Sequence, residues 1–474
     1  MTLLDEGLPK SLPEDPANAT GPVLSDGTPL RDLIDYERRE VSMRLLSDPE
    51  VFRLEMKHLF GKTWNLLGHE SEIPEPGDYI MRQMGLDPVI VTRDRKMGIN
   101  VLLNICTHRG MQVCRSEGGK GATFKCPYHG WSFSNEGRFL GAPIAKEEMH
   151  GDILPKSELG LRKARVETYA GMIFANWDED SESLDDFLGD IKFYTDLMFD
   201  RSEGGLEVLG PPQRFVIRAN WKCAGEQHSG DGYHNLTLHY SLQELEMMAG
   251  GEDKPVAMAG VNVSANGHGL RCIDQTEPFV LMMKDKGLDK LSVVEKLTMQ
   301  PPPGMTADHI PYLQQRFSED ELRMLADCPP CVGGLFPNVG VFALNMPMPD
   351  GMSSLISFHA FVPLSPGEFE FYNWFLVEKG ASQELRERMS NTSNLSFGAS
   401  GFVETDDADT WPQMTRMAEG YMGSQQKIRY HAISGERVPE GWPGGGLVYE
   451  GFGKDDNQWN WWKTYFEKML GTSK

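Results

Sequence analysis

The sequence predicts an α+β protein in which a small all-β domain is inserted into a larger domain of antiparallel sheet and helices. Three observations predict it. Between Trp64 and about Trp177, short apolar runs such as Val89-Ile90-Val91 and Val101-Leu102-Leu103 alternate with Gly-, Pro- and Asp-rich turns, the signature of short strands. Longer elements lie on either side of that region. Residues 355–361 and 369–376 are rich in β-formers and flank Pro363 and Pro366-Gly367, which predicts a hairpin in the larger domain. The expected division is residues 1–62 as a tail and helix belonging to the larger domain, 63–183 as the small domain, and 184–474 as the rest of the larger one.

Taken in order, residues 1 to about 31 are polar and rich in Pro, Gly and Asp, without the basic start and apolar stretch of a signal peptide. Ser47-Asp48-Pro49-Glu50 is a helix start, with a capping side chain and a proline near the first helical position. Val51, Leu54, Met56 and Leu59 suit a helix running to Gly61. After the small domain, residues 213–220 predict a strand and residues 227–248 a mostly helical stretch. Ser318 and Glu321 form a capping box, with Phe317 and Leu322 placed as a hydrophobic staple. The Trp459-Asn460-Trp461-Trp462 cluster is expected on the packing face of a terminal helix or at a subunit contact.

With 474 residues, 40% hydrophobic and 24% charged, the chain can bury a large core without disulfide staples. Its seven cysteines are odd in number and irregularly spaced, which points to a reducing, cytoplasmic compartment. No apolar run approaches the ~18 residues of a membrane span. A formal charge of −23 opposes nucleic-acid binding. Cys328-Pro-Pro-Cys331 resembles a redox pair but lacks a βαβ context, so two thiols without a redox role are expected.

Two constellations carry metal chemistry. The first is Cys106-Thr107-His108 and Cys126-Pro127-Tyr128-His129, two short loops that each offer one thiolate and one imidazole. Four ligands on one ion would make a structural zinc site. Two cysteines on one iron and two histidines on the other would make a Rieske [2Fe–2S] cluster. The Cys-x-His gap is tighter than zinc ligands usually show. Each loop also mixes Cys with His, and Gly110, Gly118, Gly119, Gly121 and Gly130 would let backbone amides approach cluster sulfurs. These features favour the cluster.

The second constellation is Asp231-Gly232-Tyr233-His234 followed by His239. Five residues on an ideal helix turn through ~500°, so the two rings would point ~140° apart and could not share a metal. A π-bulge or a helix break would bring them together. Two imidazoles and one carboxylate would leave open positions on Fe(II), where O2 can bind. The carboxylate is expected far downstream, in Glu404-Thr405-Asp406-Asp407, although acids there would also suit a helix N-terminus.

The stretch from Asn104 to Trp131, with His108-Arg109-Gly110 and Cys126-Pro127-Tyr128-His129-Gly130-Trp131, resembles the Rieske domain of ring-hydroxylating oxygenase large (alpha) subunits, and the likeness covers residues from about 47 to about 411. It implies that Cys106 and Cys126 hold one iron of the cluster while His108 and His129 hold the other. It implies that His234, His239 and the second of the paired acids, Asp407, hold a mononuclear Fe(II), with Asp406 as the alternative. Asp231 would link His129 of one subunit to His234 of the next, although an ordinary helix-capping aspartate would look the same. The resemblance further implies a ferredoxin and an NAD(P)H-dependent reductase as electron donors. It also implies a small (beta) subunit, a trimer of alpha–beta pairs or an alpha homotrimer, and addition of both atoms of O2 to an aromatic ring to give a cis-dihydrodiol.

The chain departs from the family at Glu226-Gln227-His228, where Glu-Asn-Phe is commoner, and at Asn235, a polar residue beside the first iron histidine. Gln227, His228 and Asn235 add hydrogen-bonding groups and lean the expected substrate towards a phthalate-like aromatic acid. The alternatives are a mono- or polycyclic aromatic hydrocarbon, or monooxygenation and demethylation at a nitrogen or oxygen substituent. Phe397 and Val403 are further pocket residues by their place in the motif.

Overall fold

The computed structural model describes residues 21–143, 154–244, 259–275, 290–348 and 351–471. The first twenty residues of the polar N-terminal segment, and residues 245–248 of the expected helical stretch, lie outside them.

Between Thr63 and Asn176 the described residues form strands, turns and two short 3₁₀ turns. Its main sheet runs, in spatial order, through Asn65–His69, Met172–Asn176, Lys163–Tyr169, Ile99–Leu103, Asp87–Arg93, Asp78–Met84 and Gly118–Lys120. A small sheet of Thr123–Lys125, Ser132–Ser134 and Phe139–Gly141 lies beyond it. Trp131, Phe133, Phe124 and the buried Cys106 and Cys126 share one apolar cluster. The metal-binding loops therefore sit on a packed base.

The larger domain is built on an antiparallel sheet in the spatial order Leu206–Val208, Glu368–Glu378, Gly351–Ser365, Val339–Met348, Pro330–Leu335, His268–Ile273, Gly260–Ala265 and Leu447–Glu450. The predicted hairpin is the second and third strands of this order, Gly351–Ser365 against Glu368–Glu378, with an irregularity between Pro363 and Ser365. Proline lacks the N–H that a regular ladder needs, so the irregularity falls where it must. Gln213–Ile217 pairs with Glu368–Glu378, and Asn220 then caps the next helix instead of extending the strand.

The N-terminal segment belongs spatially with the larger domain. Glu40–Ser42 pairs with Lys427–Arg429. Asp48 accepts from the backbone of Glu50 at 2.7 Å to start the helix Pro49–Glu55. That helix passes directly into a π-helical stretch, Met56–Phe60, capped by Gly61 as expected, and its buried Glu55 carboxylate meets Lys222 and Tyr465. The capping box at Ser318 and Glu321 is formed. The terminal helix Asp456–Leu470 buries Trp459, Trp461 and Trp462. Among the described residues no helix is long and apolar enough to cross a membrane.

Candidate metal centres and active site

The two cysteine loops of the small domain have the same backbone design. Cys106 accepts from the amide of Gly110 at 2.9 Å and donates to the carbonyl of Met111 at 2.8 Å. Cys126 accepts from Gly130 at 3.0 Å and donates to Trp131 at 2.7 Å. Gly110 and Gly130 both have φ of 73°, a left-handed conformation that glycine adopts without steric penalty. Equivalent turns thus present one thiol and one imidazole each. The His108 and His129 rings lie 4.7 Å apart, and His108 stacks on Trp131 at 4.8 Å. Burial pushes the Cys106 pKa up, and the neighbouring Cys126 thiol adds to the rise. Two thiols and two imidazoles converging from paired loops fit a mixed-ligand two-iron centre.

In the larger domain, the helix expected over 227–248 begins earlier, at Trp221, and stops at Gly230. Asp231 ends it. Its amide closes the last turn on Gln227, while its Oδ1 accepts from the backbone of Tyr233 at 3.0 Å and of His234 at 3.1 Å. Gly232 must be glycine for a packing reason, since a Cβ there would lie 2.4 Å from the Phe452 carbonyl oxygen. A short 3₁₀ turn, Tyr233–Leu236, follows, and the next helix starts at Tyr240. His234 and His239 therefore both lie in the break between the two helices, with ring centroids 5.0 Å apart.

Asp407 comes from the first turn of the long helix Glu404–Glu419. Ligand atoms of His234, His239 and Asp407 all lie within 4.8 Å of one another. Both Nε2 atoms face this carboxylate, at 3.9 Å for His234 and 3.8 Å for His239. The Nδ1 atoms face other acids, Asp231 at 3.5 Å from His234 and Asp406 at 3.1 Å from His239. An ionised carboxylate only accepts, so the Asp406 hydrogen bond places the His239 proton on Nδ1 and leaves its Nε2 as a lone-pair donor, while His234 Nδ1 faces Asp231 without a hydrogen bond. Two imidazoles and one carboxylate, with no further ligand side chain in the group among the described residues, fit Fe(II) with open positions.

The electrostatics agree with a site short of positive charge. Burial raises the Asp407 pKa, against the pull of His234 and His239. Burial opposes the His234 cation, but Asp231 and Asp407 outweigh it and raise that pKa. Burial likewise opposes Asp231 ionisation, yet the His234 contact leaves its pKa lowered. The Asp231 side chain keeps 25% of its surface exposed, so one edge of the site remains open to a neighbour.

The other sequence-predicted residues divide. Gln227 is buried, donating to Asp407 Oδ1 at 2.7 Å and accepting from Trp411 Nε1 at 2.7 Å. His228 packs among Phe342, Phe361 and Trp411, and its Nδ1 hydrogen-bonds the Ala224 carbonyl at 2.8 Å. Asn235 donates to the Gly232 carbonyl at 3.2 Å. Phe397 and Val403 join one apolar cluster with Phe342, Met346, Leu355 and Phe375. Sequence reasoning missed Asp406 as the partner of His239, Trp411 as the partner of Gln227, and Arg271, a buried guanidinium that donates to the Asp231 carbonyl. The spacing of Asp407 and Trp411, four apart on one helix, was the available signal for the second of these.

Comparison with known proteins agrees with this anatomy. Residues 63–169 match the Rieske [2Fe-2S] domain, and residues 184–437 match the ring hydroxylating alpha subunit (catalytic domain). The chain is 31% identical to the N,N-dimethyl phenylurea N-demethylase subunit alpha of Sphingobium sp. (strain YBL2), over 94% of this chain and 96% of that one. It is 32% identical to the benzene 1,2-dioxygenase subunit alpha of Pseudomonas putida, over 86% of each. The solved structure of naphthalene 1,2-dioxygenase from Rhodococcus sp. bound to indole superposes with a TM-score of 0.80 at 33% identity, covering 92% of this chain and 95% of that one. The chain belongs to the ring-hydroxylating alpha-subunit family, joining a Rieske [2Fe–2S] domain to the catalytic domain of a non-haem iron oxygenase.

Proposed function

We propose that this chain is the catalytic subunit of a multicomponent dioxygenase that adds both atoms of O2 to an uncharged aromatic ring. In this reading His234, His239 and Asp407 hold mononuclear Fe(II). Cys106 with Cys126, and His108 with His129, hold the two irons of the Rieske cluster. The observation that carries the reading is the convergence of both Nε2 atoms on Asp407 in a chain that also bears the paired Cys/His loops. When bound, these centres supply electron transfer and O2 activation. The protein's part is to orient and to exclude water. Asp406 hydrogen-bonds His239 Nδ1 and Asp231 faces His234 Nδ1 at 3.5 Å, and the two acids so aim the imidazoles. The exposed edge of Asp231 is where a second subunit's Rieske domain would dock, bringing its His129 within hydrogen-bonding reach. A small subunit, a ferredoxin and an NAD(P)H-dependent reductase complete the system, in a trimeric assembly, as the relatives' designation as alpha subunits supports.

The substrate reading differs from a phthalate-like acid for a physical reason. A carboxylate buried beside Asp407 needs a cation, and the polar groups that suggested one do not supply it. The Gln227 amide is neutral and bonds Asp407 at one end and Trp411 at the other. Asn235 serves the Gly232 carbonyl, and Arg271 serves Asp231. Burial pushes the His228 pKa down to about 3, so that ring is neutral. With Nδ1–H donating to Ala224, its Nε2 is left as an acceptor, suited to an O–H or N–H on the substrate. Phe342, Phe397 and Val403 supply the apolar wall.

A second reading, oxidation of an N-methyl group on an uncharged aryl amide or urea, is favoured by the 31% identity to the phenylurea demethylase over 94% of the chain and by the same His228 acceptor. Turnover of simple arenes, phthalate and N-methylated phenylureas under 18O2 separates the readings. A dihydrodiol carrying two labelled atoms supports ring dioxygenation. Formaldehyde release from the urea supports demethylation. Preferred turnover of phthalate would contradict the uncharged pocket.

A further inference from the structure

Gln227 and Trp411 form a two-link chain behind Asp407 that neither the family likeness nor the metal ligation requires. Asp407 and Trp411 lie four residues apart on the helix Glu404–Glu419, so they face the same side. Gln227, from the helix Trp221–Gly230, reaches across and engages both. Its Nε2 donates to Asp407 Oδ1 at 2.7 Å, and its Oε1 accepts from Trp411 Nε1 at 2.7 Å. All three residues are buried, with Trp411 fully so.

The chemistry of the three groups fixes the amide's direction. An indole N–H can only donate and an ionised carboxylate can only accept. The amide must therefore turn its oxygen to Trp411 and its NH2 to Asp407. Reversed, it would set N–H against N–H and a carbonyl against a carboxylate, leaving buried polar groups unpaired at high cost. The outcome matters because an amide carbonyl is itself a hard oxygen ligand for a divalent cation, and Gln227 lies directly against Asp407.

We propose that Trp411 is a positioning residue acting through Gln227: it locks the amide so that its NH2 clamps Asp407 and its carbonyl is held off the metal. This rests on the reading of Asp407 as an iron ligand. Trp411→Phe removes one of the two groups that select the amide orientation and leaves Gln227 held at its Asp407 end alone.

The test is anaerobic Fe(II) titration of the full-length, cluster-loaded protein after removal of mononuclear iron, with EPR of the nitric oxide adduct of the reloaded site. Gln227→Leu, which keeps the volume but not the bonds, is expected to weaken Fe(II) binding about ten- to a hundredfold, as loss of an outer-shell partner does. Trp411→Phe is expected to weaken it less than Gln227→Leu does and to change the adduct's line shape, because an amide held at one end only lets Asp407 shift at the metal. The double variant should behave as Gln227→Leu alone, since Trp411 has no other route to the metal. Additive effects, or an unchanged adduct spectrum in Trp411→Phe, would overturn the proposal. If Trp411→Phe does not fold, as judged by loss of the cluster's EPR signal, unchanged Fe(II) affinity in Gln227→Leu still overturns the clamp. Asp407→Ala separates the two levels. Full iron retention there sinks the ligand reading, whereas iron loss there with none in Gln227→Leu sinks only the clamp.

Discussion

Lys222 sits in the first turn of the helix that carries Gln227 and His228 and ends at Asp231, and its ammonium lies 2.5 Å from Glu55 Oε1 with both side chains fully buried. Glu55 also accepts from Tyr465 at 2.6 Å and from Trp221 Nε1 at 3.0 Å. One carboxylate thus ties together the N-terminal helix, the site helix and the terminal helix. Replacing Lys222 by methionine keeps most of the volume and leaves Glu55 with two neutral donors and no counter-charge. Stranding one member of a fully buried pair costs about 3–5 kcal/mol. At about 2 °C per kcal/mol, the lower end of the range for a large domain, the melting temperature of the catalytic domain should fall by roughly 6–10 °C. The assay is thermal unfolding of the loaded protein by circular dichroism at one scan rate. Glu55→Gln combined with Lys222→Met removes the stranded charge, retains an acceptor for Tyr465, and should recover at least half of the loss. A fall of under about 2 °C in the single variant, or a double variant no better than the single, would refute the claim that the pair is dry and mutually dependent.

Three further outcomes are expected. Asp231→Asn should leave both metal centres loaded, by iron and sulfide analysis, while product formation coupled to electron donation nearly vanishes; ordinary coupled turnover would remove Asp231 from the electron path. Asp407→Ala should lose the mononuclear iron and keep the acid-labile sulfide, whereas retained iron would move the ligand assignment to Asp406. Glu226, buried and hydrogen-bonded to Gln458 at 2.6 Å, has its pKa pushed from 4.5 to about 8, by burial first and by the Asp231 charge next. Its folded-state pKa is raised, so its contribution to stability is fully present below pH 4.5 and is lost as pH rises through 8. Between pH 6 and 9 the parent should lose on the order of a few kcal/mol more than Glu226→Gln; equal slopes in melting temperature against pH would contradict a proton held by Glu226 in the fold.

Local signals made much of this protein legible. Cys106, His108, Cys126 and His129 announce their chemistry because each pair sits within a single turn, so sequence spacing is nearly spatial spacing. The Asp48 cap, the Ser318 capping box and the Gly351–Ser365 hairpin are equally local. The five-residue gap between His234 and His239 demanded an interruption, but not its kind. The break is set by Asp231 taking up the backbone amides of Tyr233 and His234 and by the tight approach of Gly232 to Phe452, and the second of these joins residues far apart in sequence. The same holds for Asp406 against Asp407. Adjacent acids on a helix point about 100° apart, and only the placement of that helix decides which one meets Nε2 and which meets Nδ1. Gln227 illustrates the largest gap. A polar residue near the pocket suggested a polar substrate, whereas its partners lie 180 and 184 positions away and engage both ends of the amide.

The central claim is that one chain carries both a mixed-ligand two-iron cluster and a separate mononuclear iron. Iron and acid-labile sulfide content of the purified protein, with EPR after dithionite reduction, tests it most directly. The account predicts about three irons and about two sulfides per chain and the signal of a Cys/His-ligated cluster, with Asp407→Ala losing about one iron and no sulfide. Zinc in place of iron, or fully metallated protein with neither sulfide nor signal, would contradict it.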